Sequence, residues 1–309
     1  MAHNGKSVDQ TKISQQDTLG GHMHVSLCVT VMNEEKSIGQ LIHSILAQSQ
    51  LPDEIIIVDG GSTDRTLEIL ERCQTSHPDL IRILSFSSVN IAEGRNISIK
   101  EARYNYIASA DAGVLYPIDW FRNLVGPFQK DESIDIVAGF FEPQSESAFE
   151  ECAGILLYPN SDTMVWERFL PSGRSVAFKK SVWQALNGYT EWLPRGVGED
   201  TDFFLRARNA GYKFAYVKDA TCFWRPRKDL KGLFKQYYLY SKGARASGSS
   251  SAFMLEAYGA NPLHTTIDNA KQIIKKRKPS YLIYGFLVLI TVVAAKITGY
   301  IFGTPHTRN

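Results

Sequence analysis

Cysteine is scarce in this sequence, and the few cysteines are scattered. Cys28, Cys73, Cys152 and Cys222 form no CxxC pair and have no histidines at the spacing typical of a zinc site. A disulfide framework and a structural zinc centre are therefore not expected. This usage favours reduced thiols in a cytosolic compartment.

An excess of charge of one sign is also missing. Lysine and arginine number 34, and aspartate and glutamate number 32, which gives a net charge of +2. A dedicated nucleic-acid-binding protein needs a broad basic face, so nucleic acid is not an expected partner. With 44% hydrophobic and 21% charged residues, the composition excludes collagen-like, coiled-coil and wholly disordered chains and predicts a globular protein.

The N-terminal segment lacks the apolar stretch of a secretory signal peptide. Residues 1–24 are mostly polar, with isolated apolar side chains and two adjacent glycines. Such a segment buries too little surface to offset the entropy lost on ordering it. We expect a flexible tail over residues 1–24 and a globular body that stays in the cytosol.

The sequence does contain a regular alternation of strand-like and helix-like segments. Strand-like runs at 25–31, 54–58, 81–86 and 106–110, of which 25–31 is mostly apolar and β-branched, are separated by segments of helical periodicity. This alternation predicts βαβ crossovers, and hence an α/β fold with a mostly parallel central sheet and helices on both faces. In the less regular second half we expect a strand at 176–178, a helix at 200–210, a late edge strand at 213–217 and a helix at 230–240.

A long apolar run lies near the C-terminus. Residues 281–302 carry one charge, Lys296, and as a helix the run would be about 33 Å long, enough to cross a bilayer core. Five lysines and arginines at 271–278 precede it, whereas the tail after it holds only one arginine. This bias predicts a single-pass protein of the cell membrane with its N-terminal body in the cytosol. A buried or interfacial helix is the alternative.

Polar clusters follow three of the predicted strands, at 32–35, 59–64 and 111–113. Ligands of open α/β sheets bind at this edge, because loops converge there and helix N-termini direct free N–H groups outward. Asp59 is placed to accept a hydrogen bond from the imino N–H of uracil or guanine, and Glu34 would complete a base and ribose pocket. Turn capping by Asp59 and helix-dipole stabilisation by Glu34 are the alternatives.

Asp111 is a candidate metal ligand, because its small neighbours leave room for a metal ion and a diphosphate. Mg²⁺ and Mn²⁺ prefer oxygen ligands and often take only one or two carboxylates from the protein. Arg95, on the preceding helix, is placed to contact the same phosphates as a fixed cation. The alternatives are an ordinary strand-end aspartate and an arginine on a solvated helix face.

Glu199 and Asp200 follow the glycine-rich segment 195–198 and open a predicted helix. A carboxylate at a helix start remains ionised at neutral pH, and the glycines leave space for a substrate hydroxyl. Asp200 is therefore a candidate general base, with Glu199 beside it. Capping of the helix is the alternative.

Four segments carry a resemblance to a known family. They read VTVMNEEKSIGQLIHSILAQSQLPDEIIIVDGGSTDRT (29–66), AEGRN (92–96), SADAG (109–113) and LNGYTEWLPRGVGEDTDFFLRARNAGY (186–212). In this order and spacing, over about residues 25–244, the chain resembles the inverting family 2 glycosyltransferases, which have the GT-A fold, a Rossmann-like α/β architecture.

The resemblance implies a role for each candidate residue. Nucleotide-sugar binding falls to Thr30, Met32, Glu34 and Asp59, diphosphate contact to Arg95, coordination of a divalent metal (Mg²⁺ or Mn²⁺) to Asp111, and catalysis to Asp200 as base with Glu199 adjacent. The expected organisation is a tail (1–24), a GT-A domain (25–245), a linker with a basic juxtamembrane segment (246–280), a transmembrane helix (281–302) and a short tail (303–309).

The sequence departs from the family pattern at three places. Ser109 occupies the first position of the usual Asp-x-Asp metal motif, which leaves Asp111 as its only carboxylate. Thr30 and Met32 stand where proline and an aromatic residue are common. Residues 236–240 lack the Arg-Trp of the Gln-x-x-Arg-Trp motif of processive members, so we predict transfer of a single sugar.

The sequence thus predicts a membrane-anchored, non-processive glycosyltransferase. It would move one sugar, with inversion, from a nucleotide-sugar donor of UDP, GDP or dTDP type to a hydroxyl of a saccharide or lipid-linked acceptor. A non-catalytic nucleotide-sugar-binding or scaffold membrane protein is the alternative, suggested by the missing first acid of the metal motif. A nucleotidyltransferase is disfavoured, because the loop after the first strand is acidic where a triphosphate would need a basic, glycine-rich loop.

Overall fold

The computed structural model describes residues 23–158, 160–162, 164–193, 198–246 and 262–303. Most of the predicted N-terminal tail, the segment 195–197, most of the predicted linker and the tail after 303 lie outside the described residues. Met23 and His24, placed in the tail by the sequence, belong to the folded body: Met23 is buried, and His24 Nδ1 lies 2.7 Å from Asp53 Oδ1.

Eight strands and ten helices make up the described chain. The strands are β1 (Val25–Val31), β2 (Glu54–Asp59), β3 (Ile81–Ser85), β4 (Tyr106–Asp111), β5 (Val114–Leu115), β6 (Ile136–Pro143), β7 (Val176–Lys179) and β8 (Phe214–Trp224). The helices are α1 (Ile38–Leu46), α2 (Thr66–Ser76), α3 (Ile91–Glu101), α4 (Trp120–Lys130), α5 (Ala148–Leu157), α6 (Lys180–Ala185), α7 (Glu199–Asn209), α8 (Leu230–Ala246), α9 (Pro262–Lys275) and α10 (Pro279–Ile301).

The strands form one sheet with the order β3-β2-β1-β4-β7-β6-β8-β5. The first four are mutually parallel, as the βαβ pattern predicts. Strands β1 and β2 are buried along almost their whole length, because their β-branched side chains pack against helices on both faces. The carboxyl ends of β1, β2 and β4 therefore meet at one edge, where the polar clusters follow.

The other half of the sheet is mixed, which the sequence does not predict. Strand β7 is antiparallel to β4 and β6, while β8 is parallel to β6 and antiparallel to β5. The late strand predicted at 213–217 is longer, and its edge position is wrong: β8 lies between β6 and β5. Exposed Lys218 and Asp219 interrupt its apolar pattern, and the two-residue strand β5 covers its end.

Helices cover both faces of the sheet, as predicted. One core contains α1 and α4 packed against the sheet, with Trp120 and Phe121 fully buried. The opposite core contains α3 and α7, with Phe203 and Phe204 fully buried. This packing holds the N-termini of α3 and α7 near the carboxyl edge of the sheet.

Helices α5, α8, α9 and α10 form a separate layer beside the sheet. Buried side chains of α5, α8 and α10 make one cluster, and Ile273 of α9 joins Cys152 and Tyr281 in another. Part of the predicted linker is thus the helix α9. In the described part of the chain, α10 alone is long and apolar enough to cross a membrane.

Candidate active site

A cleft of about 640 Å³ opens at the carboxyl edge of the sheet. Its lining comes from the end of β1 and the loop after it, the loops after β2, β3 and β4, the segment before β7 and the end of β8 with the loop after it: Thr30, Val31, Met32, Glu34, Gly60, Ser88, Val89, Asn90, Ile91, Asp111, Ala112, Arg174, Trp224 and Arg227. The cleft therefore brings together four of the predicted residues, Thr30, Met32, Glu34 and Asp111. Its volume suits a ligand of nucleotide size.

The first wall of the cleft is the loop after β1, which is tied to the turn after β2. Asn33 adopts a left-handed backbone conformation (φ 57°), and its amide N–H donates to Ser62 Oγ at 2.8 Å. Its side-chain Oδ1 accepts from the Thr63 amide at 2.9 Å. Met32, between these contacts, is 57% exposed and lines the cleft; its contact with a base remains a prediction.

Thr30 lines the same wall and is packed tightly against α3. A Cβ added to Gly94 would lie 2.4 Å from Thr30 Cγ2, so only glycine allows this approach of helix and strand. The Thr30 hydroxyl is buried and has no hydrogen-bond partner among the described residues. A buried polar atom without a partner in a cleft wall is typical of a ligand-binding position.

Asp59 is placed differently from the sequence prediction. Its side chain is 1% exposed and does not line the cleft. The carboxylate accepts hydrogen bonds from the Ser62 amide at 3.2 Å and from Ser85 Oγ at 3.3 Å. In this structure Asp59 stabilises the Gly-Gly turn, which corresponds to the alternative raised from the sequence; its contact with a base remains a prediction.

Arg95 lies at the centre of a buried ionic cluster. Its guanidinium donates to Asp111 Oδ1 at 2.7 Å, to Ser109 Oγ at 2.8 Å and to Glu199 Oε1 at 3.1 Å. Burial alone would lower the pKa of Arg95, but the carboxylates of Asp111 and Glu199 outweigh it and hold that pKa well above its usual range. Arg95 is 4% exposed and does not line the cleft, so it neutralises the carboxylates of the site, and its contact with a diphosphate remains a prediction.

Asp111 is the cleft residue that suits a divalent metal. Its side chain is 24% exposed at the end of β4, with one oxygen bound to Arg95. The described residues contain no group of three or more His, Cys, Asp or Glu that could hold a metal. A single carboxylate beside a diphosphate-sized space fits an Mg²⁺ or Mn²⁺ ion held mainly by donor phosphates, because such ions often take one protein carboxylate.

Glu199 and Asp200 form the first turn of α7, after Gly198 with its left-handed φ of 88°. Burial, and then repulsion from Asp200, raise the pKa of Glu199 to about 8 although Arg95 opposes them. Asp200 is half-buried, and its Oδ2 accepts from the Gly173 amide at 3.3 Å. Both residues therefore adjoin the Arg95 cluster, although neither lines the cleft.

The basic end of the cleft is not apparent from the sequence. The Arg174 guanidinium lies between two aromatic rings, 4.8 Å from the Phe141 centroid and 4.6 Å from the Trp224 centroid. Arg227, three residues after β8, completes this end. No periodicity singles out these arginines; the one sequence signal is their position just before β7 and just after β8.

The eight-stranded mixed sheet, with a nucleotide-sized cleft at its carboxyl edge that carries both acidic and basic side chains, has the architecture of the GT-A glycosyltransferase fold. Residues 26–173 match the family described as "Glycosyl transferase family 2". Residues 26–173, just under half of the chain, thus form a domain that matches that family, as the sequence predicts, and the predicted fold class is confirmed.

Similar proteins agree with this assignment. The poly-beta-1,6-N-acetyl-D-glucosamine synthase of Staphylococcus aureus (strain COL) is 25% identical over 226 residues, which cover 71% of this chain and 54% of that protein. The chain thus spans about half the length of the curated relatives it matches. The mannosyltransferase PcManGT of Pyrobaculum calidifontis, solved with GDP-Man and Mn²⁺, superposes with a TM-score of 0.62 at 18% identity, over 90% of this chain and 87% of its own. S. aureus TarS 1-349, solved with UDP, superposes with a TM-score of 0.52 at 13% identity, over 89% of this chain and 91% of its own.

Proposed function

We propose that this protein transfers one sugar from a nucleotide-sugar donor to a hydroxyl acceptor, with inversion at the anomeric carbon. The observation that carries the proposal is the Arg95 cluster. One buried guanidinium binds Asp111, the candidate metal ligand, and Glu199, the neighbour of the candidate base Asp200. Groups from distant parts of the chain therefore meet beside a cleft of nucleotide size.

The donor occupies the cleft with its base near Met32 and its diphosphate near Asp111. Thr30 and Glu34 lie on the same wall and supply polar groups for the nucleoside. PcManGT in complex with GDP-Man and TarS in complex with UDP support a GDP or UDP type of donor, and dTDP stays a prediction from the sequence. Asp59 does not line the cleft and binds the turn after β2, so its proposed contact with the base would be made through that turn.

The chemistry is a single displacement. Asp200 accepts the proton of the acceptor hydroxyl as that oxygen bonds to the anomeric carbon and the bond from that carbon to the diphosphate oxygen breaks. A divalent metal bound at Asp111, when present, offsets negative charge on the departing nucleoside diphosphate. Arg174 and Arg227 face the same space and add fixed positive charge, while Arg95 holds Asp111 and the start of α7 in place.

The acceptor is a saccharide or a lipid-linked molecule, and α10 anchors the enzyme at the cytosolic face of the cell membrane. The similarity to a poly-beta-1,6-N-acetyl-D-glucosamine synthase supports a saccharide acceptor. The absence of Arg-Trp after Gln236 supports a single transfer. The basic segment before α10 supports the cytosolic side.

Asp200→Asn tests the base assignment. A screen of UDP, GDP, dTDP and their sugars with Mn²⁺ first identifies the donor by the rise in melting temperature. We then expect Asp200→Asn to keep the nucleotide-induced shift but to lose about 10²- to 10⁴-fold in the rate of sugar transfer. Asp202→Asn, on the same helix and bound to Arg206, is the matched control and should transfer sugar normally. Transfer by Asp200→Asn at the wild-type rate would refute the assignment.

A non-catalytic nucleotide-sugar-binding protein is the second candidate. It is favoured by the engagement of Asp111 with Arg95 and by Ser109 in place of a second carboxylate. The two candidates differ in turnover. Binding of a nucleotide sugar without hydrolysis or transfer, with and without Mn²⁺ and over a panel of saccharide and lipid-linked acceptors, would support the second candidate.

A further inference from the structure

Helix α10 is attached to the globular domain along its whole length. Its buried residues recur every three or four positions from the first turn to the last: Tyr281, Gly285, Val288, Val292, Ala295 and Gly299. They pack against α5 and α8. A helix that crosses a bilayer must leave the water-soluble domain over some 20 residues, and no turn of α10 does so.

The neighbour α8 runs alongside α10 in the same direction. Ser241 Oγ donates to the Lys296 carbonyl at 2.7 Å, and Arg245 Nε donates to the Gly303 carbonyl at 2.8 Å. Helix α8 also carries Lys231, Lys235 and Lys242. If α10 crossed a membrane in this arrangement, the cations of α8 would enter the hydrocarbon region with it, which is costly.

The face of α10 opposite α8 is apolar and exposed. Its side chains, each more than two-fifths exposed, are Leu282, Ile283, Phe286, Leu289, Ile290, Val293, Ile297 and Ile301. Phe302, directly after the helix, is exposed as well, and exposed Tyr300 borders this face, where its ring contacts Arg245 of α8. Leu230 and Phe234 of α8 are also exposed. An exposed apolar stripe of this length, on a helix that is packed against a domain, indicates a surface that binds a membrane or another apolar surface.

Basic residues border this apolar face. Lys271, Lys275, Lys276, Arg277 and Lys278 are all exposed, and residues 269–280 contain no acid. Lys276 is paired with Glu151 of α5. Lys231 and Lys235 of α8 are exposed as well. An apolar face with a cationic border complements an anionic lipid surface, where lysine and arginine bind headgroups while apolar side chains enter the acyl boundary.

We propose that α10 lies in the plane of an anionic membrane surface and does not cross it. The layer of α5, α8, α9 and α10 is then a monotopic platform, with the stripe from Leu282 to Phe302 in the headgroup and acyl boundary. The proposal is independent of the reaction in the cleft. It replaces the single span expected from the length, hydropathy and flanking charges of the sequence with the interfacial alternative, because those features do not reveal the packing of α10 against α5 and α8.

The depth of single tryptophans in the bilayer tests the proposal with the full-length protein. Phe286→Trp, Ile290→Trp and Ile297→Trp are bound to vesicles of three parts phosphatidylcholine to one part phosphatidylglycerol with bromines at defined acyl positions. Quenching is read as the difference from the parent protein, whose five tryptophans lie outside α10. Leu51→Trp, an exposed position outside the platform, is the matched control and should show no added quenching.

The three helix positions discriminate between the two arrangements. Phe286 and Ile297 are eleven residues apart, about 16 Å along the helix axis. In-plane seating predicts the same shallow quenching depth for all three variants. A graded depth, with Ile290→Trp deepest, would overturn the proposal in favour of a span. Absence of quenching together with a dimeric mass in solution would overturn it in favour of a second copy covering the face.

Sidedness and charge provide two further measurements. In a Cys73→Ser background, in-plane seating predicts that Lys278→Cys and Thr307→Cys react with an impermeant maleimide from the same side of sealed membranes. Labelling from opposite sides would contradict it. Lys275→Gln and Lys278→Gln should each weaken binding to the anionic vesicles about fivefold and leave binding to pure phosphatidylcholine vesicles unchanged. Equal weakening on both vesicle types would refute the role of anionic lipid.

Discussion

The Arg95 Nη2 atom lies 2.7 Å from Asp111 Oδ1, and the Arg95 side chain is only 4% exposed. The same guanidinium also binds Ser109 and Glu199. Arginine is suited to this position because its planar group donates in several directions at once and keeps its charge when buried. The pair joins the end of β4 to the start of α7.

Gly173→Ala should disrupt this cluster. A Cβ at position 173 would lie 2.2 Å from Arg95 Nη2, so the guanidinium must move away from its partners. We expect a loss of about 1–3 kcal/mol in the free energy of unfolding, measured by denaturant titration, and a loss of transfer rate. Gly126→Ala, where a Cβ meets nothing within 4 Å in helix α4, should instead stabilise the protein by about 0.5–1 kcal/mol. Equal stability of the two variants would contradict the packing around Arg95.

Asp111→Asn should abolish the contribution of Mn²⁺ to nucleotide binding. The asparagine keeps an acceptor for Arg95 but loses the negative charge that a divalent cation requires. We expect the nucleoside diphosphate to bind about tenfold more weakly in Mn²⁺, or ~1.4 kcal/mol, with no change in metal-free buffer. Calorimetric titration measures both conditions. Asp119→Asn, which removes an exposed carboxylate outside the cleft, serves as control, and an unchanged Mn²⁺ effect in Asp111→Asn would exclude Asp111 as a ligand.

Glu199→Gln should flatten the dependence of stability on pH. The pKa of Glu199 is raised to about 8 by burial and by Asp200, whereas an unfolded glutamate titrates near its ordinary pKa of about 4.3. The folded protein therefore holds the proton more tightly. This contribution to stability is complete below the unfolded pKa and is lost as pH rises towards 8. Melting temperatures at pH 5 to 8 should fall more steeply for the wild type than for Glu199→Gln; parallel curves would contradict the raised pKa.

Arg174→Lys should weaken binding of the diphosphate moiety. The planar guanidinium stacks on Phe141 and Trp224, and an ammonium group does not reproduce that arrangement. We expect about tenfold lower affinity for the nucleoside diphosphate, from loss of a charge-assisted contact of roughly 1–2 kcal/mol, and no change for the nucleoside. Arg122→Lys, at an exposed position on α4, is the control. An equal loss of affinity for the nucleoside and for the nucleoside diphosphate would show that Arg174 does not contact the diphosphate.

The first half of the fold is predictable from sequence because its signals are local. The runs 25–31 and 54–58 are short, β-branched and apolar, and α1 has its buried residues at helical spacing. The order of strands in the second half depends on pairings between distant segments. Strand β7 pairs antiparallel with β4, although β5, α4, β6 and α5 lie between the two strands in the sequence. No local sequence pattern encodes such a pairing.

The sequence identifies candidate residues where a motif marks the end of a strand. It does not predict which side chains those residues contact. The position of Asp111 follows from the end of β4, but its bond to Arg95 requires the packing of α3 against β1. Arg174 was missed because its surroundings, Phe141 and Trp224, come from two other strands. The apolar run of α10 was recognised by its composition, whereas its attachment to α8 depends on side chains 55 or more residues away.

The shared anchor at Arg95 has a mechanical consequence. The Arg95 side chain binds both the end of β4 and the first turn of α7. A displacement of either segment should therefore move the other through this single side chain. Substitution of Arg95 should therefore lower turnover more than it lowers affinity for the nucleoside, because the wall that faces the base is held separately by the hydrogen bond between Asn33 and Ser62.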